Sequence, residues 1–246
     1  MTFIDTPSPN YDERTLPISL VVLHYTGMET GAAALAHMRD KDAKVSAHYM
    51  VEEDGRVYKL VDEKRRAWHA GVSSWHGETN INSNSIGIEI VNGGHDFGLP
   101  AFPDVQIKAV IKLCQDIKAR HDLSDYAFVA HSDIAPARKQ DPGEKFPWDV
   151  LADNNVGIWP DIKTCDRRIL FAKNDRGRGV SAVQSGLAYL GYDIEVNGVM
   201  DNKTVLVCAA FQRRYRPAKI DGQIDVQMME VLKLLAEVKK TKIASL

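Results

Sequence analysis

Short apolar runs rich in β-branched residues alternate with helical periods through the first 150 residues. That alternation is the tightest constraint on the fold. Ile18 to Leu23 (ISLVVL) reads as a buried strand, and so does Ile86–Val91 (IGIEIV). Ser46–Glu53 and Arg56–Val61 flank Asp54-Gly55, a dipeptide suited to the positive φ of a tight turn, so they read as a hairpin. Thr30 caps a helix through the alanine-rich Ala32–Met38. From about Asp104 to Arg120, Ile107, Val110, Ile111, Cys114 and Ile117 recur at helical spacing. Tyr126–Ala130 (YAFVA) is the next strand and ends at His131. The order predicts an α/β fold, a mixed central β-sheet flanked by helices.

The pattern weakens after Glu144, and Lys163–Arg178 is rich in Lys and Arg with Gly177 at its end. Beyond it, Val180–Leu190, Lys203–Tyr215 and Asp225–Lys240 read as helices punctuated by Gly191, Gly198 and Gly222. The expected organisation is a first domain over 1–160, a linker over 161–178 and a small three-helix domain over 179–246. The chain has 246 residues, long enough for one medium and one small domain. Its 31 Lys+Arg against 33 Asp+Glu argue against a protein that lives on nucleic acid or anionic membrane. Three scattered cysteines, Cys114, Cys165 and Cys208, suggest incidental thiols rather than a disulfide framework or a thiolate zinc cage. No run approaches the roughly 20 apolar residues of a membrane span. The N-terminus lacks a secretory pattern, which favours a cytoplasmic setting, with the periplasm or cell envelope as the alternative if a signal has been removed.

Of eight histidines, two fall at strand ends: His24 after LVVL and His131 after FVA. Open α/β sheets place their sites at such ends. Asp141 lies ten positions after His131 in a loop shaped by Pro136, Pro142 and Gly143, which can hold it back toward the histidine. Two imidazoles and one carboxylate form a usual catalytic zinc set with one position open. Glu89 interrupts IGIEIV on the side opposite Ile86, Ile88 and Ile90. It is either part of an exposed strand face or a carboxylate that takes a proton from the attacking water. Lys139, two residues before Asp141, is either a solvated loop lysine or an ammonium that stabilises an oxyanion. His48 reads as a packed strand residue, and His76 and His95 as solvent-facing loop residues. There is no HExxH helix of the common metalloprotease kind.

The blocks VVLHYTG, SAHYMVEEDGRVYKLV, RRAWHAG, NSIGIEIVN and AHSDIAPARKQDPG stand in order from about Ile18 to Leu151. Together they resemble the zinc-dependent N-acetylmuramoyl-L-alanine amidases, a family that includes phage amidase lysozymes and peptidoglycan recognition proteins. The resemblance implies one Zn²⁺ per chain on His24, His131 and Asp141, with Glu89 as catalytic glutamate and Lys139 as transition-state lysine. It also implies that Trp68, His69 and Asn92 lie near substrate. The implied partner is peptidoglycan or its muropeptide fragments, cut between N-acetylmuramic acid, or its anhydro form, and L-alanine. The alternative is a non-catalytic recognition module. The C-terminal GVSAVQSGLAYLGYDIEVNGVMDNKTVLVCAAFQRRYR and KIDGQID resemble the small helical peptidoglycan-binding domains of cell-wall hydrolases, over about Val180–Val238. A generic helical appendage is the other reading of that segment.

Overall fold

The computed structural model describes residues 2–244. The chain divides into two compact units. One comprises the residues up to Ser73, Asn80–His131 and Asp141–Ile158; the other comprises Ser74–Thr79, Ser132–Gln140 and the residues from Trp159 onward.

In chain order the elements of the first 153 residues are β1 (Ile4–Asp5), β2 (Tyr11–Glu13), β3 (Leu20–Tyr25), α1 (Gly31–Arg39), β4 (Tyr49–Val51), β5 (Val57–Lys59), β6 (Arg65–Ala67), α2 (Ile81–Asn84), β7 (Ser85–Ile90), α3 (Asp104–Arg120), β8 (Phe128–Ala130), the short turn α4 (His131–Ile134) and α5 (Trp148–Asp153). A six-stranded sheet runs β1-β5-β4-β7-β3-β8. Its four inner and right-hand strands, β4, β7, β3 and β8, are mutually parallel, whereas β5 runs antiparallel to β4. The sheet is therefore mixed, as the alternating pattern predicts.

Central β3 and β7 are buried almost throughout, which is why they read as near-continuous apolar runs. The Asp54-Gly55 hairpin forms between β4 and β5, with Gly55 at φ +85°. Thr30 caps α1 by accepting from the Ala33 N–H. Helix α3 covers the expected span and buries Ile107, Val110, Ile111, Cys114 and Ile117. Its buried Gln106 donates to the carbonyls of Val51 and Val91, fixing the helix to the ends of two strands.

The second unit contains β9 (Ile169–Phe171), α6 (Arg178–Leu190), α7 (Asn202–Tyr215), β10 (Ile224–Asp225) and α8 (Val226–Ala244). Strands β9 and β10 pair antiparallel, so the basic stretch before α6 carries regular structure. Its helices bury Val180, Val183, Leu187, Val207, Phe211, Met228 and Val231. Asp201 caps α7 by accepting from Thr204 N–H at 2.8 Å. Among the described residues, no helix is long and apolar enough to cross a membrane.

His48 is packed, as its place in a strand-like run suggests. Its Nδ1 accepts from the Gly87 N–H at 3.0 Å, and the Arg14 guanidinium stands 2.9 Å from its Nε2. Burial, and then Arg14, push its pKa down from 6.5 to about 4. Between those values the unfolded chain binds a proton that the folded chain refuses. Stability from this group is thus complete above pH 6.5 and falls as pH is lowered, by roughly 3 kcal/mol in all. Urea unfolding at pH 7 and pH 5 should show a loss of about 2 kcal/mol from this source. His48→Gln should remove that part of the slope, and equal slopes in the two chains would contradict the assignment.

Candidate metal centre and active site

Strand register builds the first row of the site. His24 on β3 is the partner of Glu89 on β7. Leu23 on β3 is the partner of Ala130, the last residue of β8, so His131 follows one step on, beside His24. Paired residues on adjacent strands project to the same face. Glu89, His24 and His131 therefore stand in a row across the carboxyl ends of three adjacent parallel strands.

Asp141 completes the group. His24 Nδ1 and His131 Nδ1 are 2.9 Å apart, and Asp141 Oδ2 lies 3.0 Å from the first and 2.9 Å from the second. All three residues are buried.

The outer ring nitrogens decide what those three atoms offer. Ser85 Oγ donates to the Ile81 carbonyl at 2.5 Å, so it accepts from His69 Nε2–H at 3.2 Å. His69 Nδ1 is then bare and accepts from His24 Nε2–H at 3.0 Å. His131 Nε2–H donates to the Ala70 carbonyl at 3.0 Å. Both ligand rings thus carry their proton on Nε2 and present a lone pair at Nδ1. Two lone pairs and a carboxylate oxygen converging in a buried place repel one another unless a cation joins them. Tetrahedral zinc with bonds of ~2.0–2.1 Å separates its donors by about 3.3 Å, close to the spacing here. The donor set fits a zinc ion, with His24, His131 and Asp141 as the group able to hold it.

His69 is buried, and its pKa is lowered well below the ordinary value by burial and then by the neighbouring His24 and His48. Its ring occupies the space a side chain at Gly87 would fill, since a Cβ there would come within 2.4 Å of it. Gly87 lies two residues before Glu89 on the same strand face. A glycine inside a strand marks such a close approach, and that was the available signal for a role of His69 behind His24.

The remaining expected positions lie as follows. Trp68 is half-buried, and its indole N–H donates to Asp12 at 2.7 Å. Asn92 is buried; its amide donates to the Pro100 carbonyl and its oxygen accepts from Gly94 N–H, which shapes the loop after β7. Lys139 is half-buried on the 132–140 segment, two residues before Asp141, with its backbone N–H on the Ala135 carbonyl. His95 is half-buried, between the Tyr25 hydroxyl and Glu144, and His76 is exposed.

Residues 14–144 match the N-acetylmuramoyl-L-alanine amidase family. The chain belongs to that family. Residues 176–232 match a peptidoglycan-binding domain family. The N-acetylmuramoyl-L-alanine amidase AmiD of Escherichia coli (strain K12) is 35% identical over 232 residues, which cover 89% of this chain and 83% of AmiD. The 1,6-anhydro-N-acetylmuramyl-L-alanine amidase AmpD of Haemophilus influenzae is 32% identical over 162 residues, covering 58% of this chain and 86% of AmpD. AmiD from E. coli, solved in complex with the substrate anhydro-N-acetylmuramic acid-L-Ala-D-gamma-Glu-L-Lys, superposes with a TM-score of 0.77 at 33% identity, covering 93% of this chain and 97% of that one. The amidase match spans His24, Glu89, His131 and Asp141.

The tautomer chain behind His24 is testable. His69→Phe fills the same space with no acceptor and should weaken zinc affinity by about 10–100-fold, as loss of an outer hydrogen-bond partner does. Competition against a chromophoric chelator measures it. Unchanged affinity would contradict the role given to His69.

Proposed function

We propose that this amidase hydrolyses the amide between N-acetylmuramic acid, or its anhydro form, and the L-alanine of the stem peptide, in cell-wall turnover or recycling. The observation that carries the reading is the convergence of His24 Nδ1, His131 Nδ1 and Asp141 Oδ2 beside Glu89, in a chain of the amidase family. These three side chains would hold one zinc ion per chain. When bound, zinc polarises the scissile carbonyl and lowers the pKa of a water toward ~7.

Glu89 stands beside His24 in the strand register. Its carboxylate takes a proton from the attacking water as the water oxygen bonds to the carbonyl carbon. The Lys139 ammonium stabilises the negative charge that develops on the carbonyl oxygen. Glu89 then returns the proton to the departing L-alanine nitrogen as the carbon–nitrogen bond breaks, leaving a free acid on the lactyl group and a free amine on the peptide. Trp68 and Asn92 shape the ground on which the sugar and peptide rest.

A binding module without catalysis is the rival reading. Three filled donor positions and a carboxylate in register with His24 favour hydrolysis. The helical domain over 179–246 supplies affinity for wall polymer, a reading supported by the match at 176–232. Cleavage of anhydro-muramyl peptide compared with that of intact sacculi assigns the enzyme to cytoplasmic recycling or to trimming in the envelope.

Glu89→Ala should keep zinc near one per chain while turnover of muramyl peptide falls by about 10²-fold or more. Metal analysis and the release of peptide with a free L-alanine amine measure the two quantities. Normal turnover in that variant would remove Glu89 from the mechanism.

A further inference from the structure

The segment between the candidate ligands His131 and Asp141 does not belong to the unit that holds them. Ser132–Gln140 clusters with the C-terminal helices, as does Ser74–Thr79. Within that second unit the segment is fixed by a buried ion pair that the amidase chemistry does not use. Asp133 is fully buried, and the Arg214 side chain is 5% exposed. Arg214 donates to Asp133 Oδ2 at 2.6 Å, and the Tyr192 hydroxyl donates to Asp133 Oδ1 at 2.7 Å. Both carboxylate oxygens are therefore held by the helical unit, Arg214 coming from α7 and Tyr192 from the turn after α6.

Further contacts tie the same pieces. Tyr192 packs edge-on against Trp75, with centroids 5.0 Å apart. His76 N–H donates to the Gly191 carbonyl at 2.8 Å, and Ser74 N–H donates to the Ile134 carbonyl at 2.9 Å. Gly191 is required here, because its φ is +129° and a Cβ would meet the Trp75 ring at 2.5 Å. Tyr192 lies in the LGY run and Arg214 in the QRRY run, the features that make this region resemble a wall-binding domain. Neither residue is free for wall polymer.

A buried ion pair is a poor device for stability alone, since apolar residues of similar volume serve as well or better. Its value is directional: it fixes one arrangement. Here the fixed object is a nine-residue segment that starts after one ligand, ends before another and carries Lys139.

We infer that Asp133, Tyr192 and Arg214 form an anchor by which the C-terminal helices fix the 132–140 segment, so that Tyr192 and Arg214 are positioning residues for amide hydrolysis. This rests on the function proposed above. The helical unit then has a second task besides any affinity for polymer. It fixes the segment that carries Lys139 and leads into Asp141.

The test uses the full chain. Tyr192→Phe removes one hydroxyl and keeps the ring against Trp75. The pair Asp133→Leu with Arg214→Met replaces the charges by apolar bulk, which keeps the helices folded. In metal-free protein, amide hydrogen exchange over 132–140 should quicken by about tenfold or more in both variants, while that of β7 stays as in the wild type. In the double variant, zinc affinity should fall by about tenfold or more. With zinc and muramyl peptide saturating, kcat should fall by about tenfold with KM unchanged, because the loss is one of alignment. Wild-type exchange over 132–140 and wild-type kcat in both variants would overturn the anchor. So would a loss of kcat accompanied by faster exchange throughout the helices. A wild-type chain that cuts no muramyl peptide would instead overturn the function on which the inference rests.

Discussion

One backbone acceptor, the Ile81 carbonyl, sets the chemistry of the site. It takes the only proton of the Ser85 hydroxyl, which leaves that oxygen to accept from His69. His69 must then accept from His24, and His24 must turn a bare Nδ1 toward Asp141. The Ala70 carbonyl does the same for His131 in one step. Fixed tautomers cost nothing at the moment of metal binding, whereas rings free to choose would have to be reorganised each time. The buried donors are consequently ready for a cation and ill at ease without one.

The sheet supplies the rest of the arrangement. Three parallel neighbours, β7, β3 and β8, bring Glu89, His24 and His131 level at their carboxyl ends. A slip of one residue in either pairing would send His24 or its neighbour in the row to the opposite face, so the apolar pattern that fixes the register also fixes the site. Gly87 leaves the gap that His69 fills, which couples the strand carrying Glu89 to the ring behind His24. Asp141 alone is not placed by the sheet. It lies ten residues beyond His131, after the 132–140 segment.

Much of this was legible in the residues. Apolar periodicity located α3 along its whole length and the Asp-Gly hairpin between β4 and β5. Histidines directly following LVVL and FVA pointed to strand ends, and those two rings meet in space with Asp141. Short pieces were harder to see. The strands of the β2–β6 ribbon and of the β9–β10 pair are two or three residues long, too short for apolar alternation to show, so local pattern is silent about them. The place of His69 behind His24 depends on a loop crossing a glycine on a distant strand, a tertiary fact with only Gly87 as its trace. Equally, no local pattern shows that Asp133 meets Tyr192 and Arg214, because 59 and 81 residues separate them.

The account stands or falls on one ion shared by three side chains. Anomalous diffraction at the zinc edge, from crystals of the full chain supplied with zinc, measures this most directly. The account predicts a single strong peak bonded to His24 Nδ1, His131 Nδ1 and Asp141 Oδ2. A saturated crystal with no peak there, or with zinc bound through the Nε2 atoms, would contradict it.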